Sequence, residues 1–188
     1  MSLLHVFFIF PAIIFCIGFL LLPANIGTAK VIGGTLQNDN LTGTMEDDRM
    51  DGGRGNDTLA GSGGNDLISG GSGIDNLTGL DGDDYIIGGL NNDTIYGNTG
   101  DDQIEGNTGS DRIMGNTGDD SLFGGLGSDI LLGGEGNDNL FGGPHNDTLS
   151  GGNGIDYFDC GIGKDKILDF NLLDGDSRSE NCENENNT

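Results

Sequence analysis

The chain contains no tryptophan, and it has only nine phenylalanines and three tyrosines in 188 residues. Aromatic side chains supply much of the area a broad globular core buries, so their scarcity argues against a conventional layered domain. Basic side chains are equally scarce. Seven Lys and Arg stand against 31 Asp and Glu, a formal net charge of −24. Phosphate recognition needs a basic face, which excludes nucleic acid as a partner. An anionic membrane surface is disfavoured on the same ground, and cations are favoured. Histidine occurs only at His5 and His145, and no acid, base or nucleophile stands at catalytic motif spacing, so the sequence reads as non-enzymatic. The three cysteines include no C-x-x-C pair, which argues against a thiolate metal site or a redox dithiol.

Long apolar runs are missing everywhere but at the N-terminus. Residues 3–22 carry no charge and are mostly Leu, Ile, Phe and Val, and Gly27-Thr28-Ala29 forms a small-x-small site before Lys30. This predicts a secretory signal over residues 1–29, cleaved after Ala29, and an extracellular protein. No Lys or Arg precedes the run, which is about long enough to span a bilayer; an uncleaved anchor at the cell surface is the alternative. Cys16 lies within the run. Cys160 and Cys182 remain, an even number in an exported chain, and are expected to form a disulfide.

What the chain has in abundance is glycine, at 38 positions, and the glycines are periodic. From Gly34 to Leu168 the sequence divides into fifteen consecutive nonapeptides without insertion or deletion, such as GGRGNDTLA (52–60), GGSGIDNLT (70–78) and GGEGNDNLF (133–141). Position six is Asp in all fifteen and position eight a large apolar residue in all fifteen. Position one is Gly in fourteen, Cys160 being the exception; position four is Gly in eleven, replaced by Gln37, Glu46, Asn91 and His145.

Each unit therefore reads as a six-residue turn followed by a three-residue strand with one inward side chain. A lone strand cannot bury that side chain, but parallel strands stacked coil upon coil can. The predicted architecture is all-β: a β-solenoid over residues 30–168 of about seven 18-residue coils, roughly 36 Å long at a strand spacing of about 4.8 Å. Odd and even units fall on opposite sides, giving two columns of Asp. Residues 169–188 are read as a C-terminal cap and acidic tail, the cap drawing on Ile167, Leu168, Phe170, Leu172 and Leu173. Asp174-Gly175-Asp176 looks like half an EF-hand, but its glycine is out of register. Carboxylates about 5 Å apart repel by about 3 kcal/mol at an effective dielectric of 20, so the columns need cations. Calcium fits best, because it accepts six to eight oxygens, backbone carbonyls included, in flexible geometry.

The repeated pattern GGxGxDxUx, with U apolar, resembles the RTX (haemolysin-type) calcium-binding repeat. That resemblance implies a right-handed parallel β-roll binding several calcium ions between successive coils on each side, through Asp carboxylates and turn carbonyls. Carried onto this sequence, the ligands are Asp57, Asp66, Asp75, Asp84, Asp93, Asp102, Asp111, Asp120, Asp129, Asp138, Asp147 and Asp156. Asn91 and His145 depart from the pattern in the turns leading to Asp93 and Asp147. Asp39 and Asp48 are left out, because TLQND and TMEDD lack the turn glycines. The implied function is a secreted calcium-binding protein, unfolded at low calcium inside the cell and folding outside. The alternative is a structural or adhesive protein that binds a cell-surface or matrix component. The sequence leaves the oligomeric state open.

Overall fold

The structure is a computed structural model that describes residues 28–182. Nearly all of the expected signal segment, and residues 183–188 of the tail, lie outside the described residues.

Strands begin at position seven of each nonapeptide. In β4 (Thr58–Gly63), Thr58 and Ala60 face outward and Leu59 inward, the period-two alternation of a pleated strand. The strand does not stop at position nine, as the periodicity predicts. Most strands continue through positions one to three of the next unit and reach six residues. The added residues stay in the ladder: Ser62 opposes Leu80 and Gly63 opposes Asp81. The bend is made within the strand, at position two, where φ runs from 71° to 133° in every unit from Gly53 to Gly161. That conformation turns the chain without breaking its register.

Seventeen strands and no helix are present among the described residues. The odd-numbered strands form a nine-stranded parallel sheet and the even-numbered an eight-stranded one. Partners are 18 residues apart, as in Ile95 opposite Ile113. The fifteen nonapeptides supply β2 (Asn40–Thr42) to β16 (Lys166–Ile167). The periodicity does not reveal one further strand at each end, β1 (Val31–Gly33) and β17 (Ser177–Arg178), so the solenoid has about eight coils. At β17 the offset grows to 20, with Tyr157 opposite Ser177.

The core is a single file of position-eight side chains. From Met50 to Phe158 none is more than 1% exposed. Ile32 and Leu41 pack on it at one end, Ile167 and Phe170 at the other. Phe170 meets Phe158 edge-on with ring centroids 6.1 Å apart, and the Arg178 guanidinium lies 4.8 Å above the Phe170 ring. The Cys160–Cys182 disulfide is formed, and both cysteines are buried in the same core. The expected cap is smaller than the apolar cluster suggested. Leu168, Leu172 and Leu173 are 53, 73 and 95% exposed, because a file one side chain wide offers a lid room for one ring.

Candidate metal centre

Position six follows the turn and points its carboxylate back under it. From Asp48 to Asp165 every position-six Asp is at most 5% exposed. In each column the Oδ1 atoms form a ladder: the amide of one Asp donates to Oδ1 of the Asp 18 residues later. From Asp57 to Asp165 these bonds are 2.7–2.9 Å. One column ends at Asp165 and the other at Asp176, whose Oδ1 accepts from Asp156 N at 3.1 Å. The Asp174-Gly175-Asp176 segment, whose likeness to half an EF-hand fails on register, continues the Asp column, displaced by the two extra residues.

The second oxygen is different. Oδ2 of Asp57, Asp66, Asp75, Asp84, Asp93, Asp102, Asp111, Asp120, Asp129, Asp138 and Asp147 is buried and meets no hydrogen-bond donor. These are eleven of the twelve Asp residues expected as ligands; Asp156, 2% exposed, is the twelfth. Position-one glycine makes room for this atom. A Cβ on Gly52 would stand 2.6 Å from Asp57 Oδ2 and 2.6 Å from the carbonyl oxygen of Gly70, one coil on. The same two oxygens crowd Gly124, at 2.5 Å from Asp129 Oδ2 and 2.6 Å from the Gly142 carbonyl. An unpartnered carboxylate oxygen and a carbonyl of the next coil thus converge at turns such as these. Such a donor set is all oxygen, suited to a hard cation. Among the described residues no three His, Cys, Asp or Glu side chains gather to hold a metal by themselves, so backbone carbonyls must complete any site.

The turns at Asn91 and His145 are regular after all. Position four has φ between 76° and 152° in the twelve units that carry Asp57 to Asp156, with Asn91 at 76° and His145 at 90°. Asn tolerates this region, and His145, exposed, adopts it at the surface.

Burial raises the carboxyls along both columns, and neighbouring carboxylates add to it, against the lowering effect of the amide donor to Oδ1. Asp120 is pushed up to about 8, Asp84, Asp93 and Asp147 to about 7, and Asp102, Asp111 and Asp138 to about 6. Asp66, Asp75, Asp129 and Asp156 are also raised, again chiefly by burial. Asp48 goes the other way. Burial pulls it up, but donors from the Lys30 amide and from the Thr44 amide and hydroxyl, with the Lys30 charge, outweigh that pull.

Position five carries a feature that the periodic reading passed over. Its side chain accepts from the amide of the position-five residue one coil later, as in Asn38 Oδ1 from Asn56 N at 2.9 Å and Asp101 Oδ1 from Asp119 N at 2.9 Å. Ten of the fifteen units have Asn or Asp there, which was the available signal. This exposed ladder runs opposite to the buried one.

The pattern of the RTX calcium-binding nonapeptide repeat, in its four-copy form, matches at residues 33–68, 42–77, 69–104, 96–131, 105–140 and 123–158. No curated protein matches the chain. The matched stretches span most of the chain and coincide with the coils whose carboxylates are buried. The chain is a calcium-binding repeat protein belonging to the RTX calcium-binding nonapeptide repeat family.

Proposed function

We propose that this is a secreted calcium-binding roll whose folding is coupled to extracellular calcium. The observation that carries the reading is the set of eleven buried Oδ2 atoms without a donor. Leaving a buried polar group unsatisfied costs about 1–3 kcal/mol, more when it is charged. A few such groups already match the roughly 5–15 kcal/mol by which a domain is stable. Bound calcium supplies the double positive charge and the demand for six to eight oxygens that these groups lack.

In this reading Asp57 to Asp156 present their carboxylates, and the position-one residues of the following coils present carbonyls. The glycine-rich turns let both approach, and the Oδ1 ladder fixes the carboxylate orientation. Because the oxygens converge only when coils are stacked, binding and folding are one equilibrium, and calcium stabilises as RT ln(1 + [L]/Kd) per site. Low calcium inside the cell leaves the chain unfolded for export, and high calcium outside closes the roll. The apolar stretch at residues 3–22 and the paired cysteines support secretion.

The test is a calcium titration of the chelator-treated protein followed by far-ultraviolet circular dichroism, with magnesium as control. A parallel-β signal that rises cooperatively with calcium and not with magnesium is expected. An equal β signal in chelator and in millimolar calcium would overturn the reading.

A further inference from the structure

The two columns of Asp differ at their beginnings from everything that follows. In the thirteen units from Gly52 onward, position two takes a positive φ, and its amide can join the ladder between coils, as Gly125 N does with Gly142 O at 3.1 Å. The first two units have Thr35 and Thr44 at that position. A β-branched residue resists positive φ, and neither threonine adopts it. Their amides turn instead toward the carboxylate of their own unit. Asp39 Oδ2 accepts from Thr35 N at 2.6 Å and Thr35 Oγ1 at 2.9 Å; Asp48 Oδ2 accepts from Thr44 N at 2.5 Å and Thr44 Oγ1 at 2.9 Å. Each hydroxyl also accepts from the amide two residues on, Gln37 N at 3.1 Å and Glu46 N at 3.3 Å.

We infer that the first coil is a metal-free cap, in which Thr35 and Thr44 do for Asp39 and Asp48 what an ion does for the carboxylates from Asp57 onward. The inference rests on the calcium reading above and says where ion binding starts. Two donors satisfy the oxygen that is orphaned in the interior units. The cap also presents the amides of Asp39 and Asp48 as donors to Oδ1 of Asp57 and Asp66, at 2.8 and 2.7 Å. It is thus a template on which the first ion-dependent coil closes. One column ends in the same way: Asp176 Oδ2 accepts from Asn171 N at 2.7 Å, a donor from its own turn. Both columns are thus closed by protein donors at the N-terminal end and one of them at the C-terminal end, with the unpartnered carboxylates between.

The test counts bound ions on the full chain by equilibrium dialysis with radioactive calcium, alongside the calcium midpoint of the β signal. D39N/D48N is expected to leave the ion count unchanged, whereas D102N/D120N lowers it by about two. T35G/T44G introduces at position two the residue most later units carry. It is expected to add up to about two ions and to move the folding midpoint to higher calcium. A D39N/D48N protein that loses as many ions as D102N/D120N overturns the cap, as does a T35G/T44G protein with unchanged count and midpoint. A wild-type chain that binds no calcium overturns the calcium reading itself, and is told apart by that single measurement.

Discussion

At the scale of the residue, position one decides how tightly the coils close. Its glycine is required by contact with neighbouring oxygens, beyond any need for backbone freedom. Gly124→Ala would drive a methyl into Asp129 Oδ2 and the Gly142 carbonyl, and it is expected to destabilise the calcium-loaded protein by about 1–3 kcal/mol. Gly33→Ala meets nothing within 4 Å and should leave the melting temperature unchanged, so a pair of thermal melts in calcium checks the distinction. The position-six Asp residues were legible in the sequence because one residue type recurs without exception. Position five was not, because Asn, Asp and Ser perform the same acceptor role there and pass for ordinary turn polarity. The regular turns at Asn91 and His145 were hidden for a related reason: they adopt the positive φ without being glycine.

At the scale of the element, each strand buries one side chain and is locked to its neighbours 18 residues away. Leu122, fully buried between Ile104 and Leu140, has no second layer to relax into the space it would leave. Leu122→Ala is therefore expected to cost about 2–5 kcal/mol, measured by denaturant unfolding in saturating calcium. Removing a whole coil is a smaller insult. Deleting residues 88–105 preserves the register of every remaining strand, and should yield a folded roll that binds about two fewer ions, as ion counting and circular dichroism would show. Strand position and pairing followed from the nonapeptide period alone. The six-residue strand length did not, because a positive φ at position two reads as a turn and yet leaves Ser62 and Gly63 paired with Leu80 and Asp81. The end strands were invisible for want of periodicity: β1 precedes the first Gly34, and β17 is shifted by two residues. At the C-terminal end, the cluster of leucines misled, since burial there depends on standing over Phe158.

At the scale of the molecule, the carboxyl columns tie folding to pH. The folded chain holds seven of them at about 6 to 8, and an unfolded Asp titrates near 3.9. Folding of the calcium-free chain therefore takes up protons between about pH 4 and pH 8. Its stability is greatest at the acid end of that window and is lost as the pH rises through it. With calcium the dependence inverts, because protons compete for the same oxygens. Far-ultraviolet spectra of calcium-free and calcium-saturated protein across this range should cross. The Cys160–Cys182 disulfide belongs to this scale too. It closes a loop of 22 residues, a constraint of about 3 kcal/mol in the chain-entropy picture. Reduction should expose the amides of residues 169–182 to hydrogen exchange while the interior coils remain protected.

The two side-chain ladders point in opposite directions along the stack. Buried carboxylates receive from the coil before them, and position-five side chains receive from the coil after. The leading rim of a finished coil therefore offers inner amides awaiting a carboxylate and, wherever position five is Asn or Asp, an outer acceptor awaiting an amide. It resembles the kink site of a growing crystal, where each arriving unit recreates the site it has just filled. A chain emerging from a pore N-terminus first would meet that rim in order, one coil at a time.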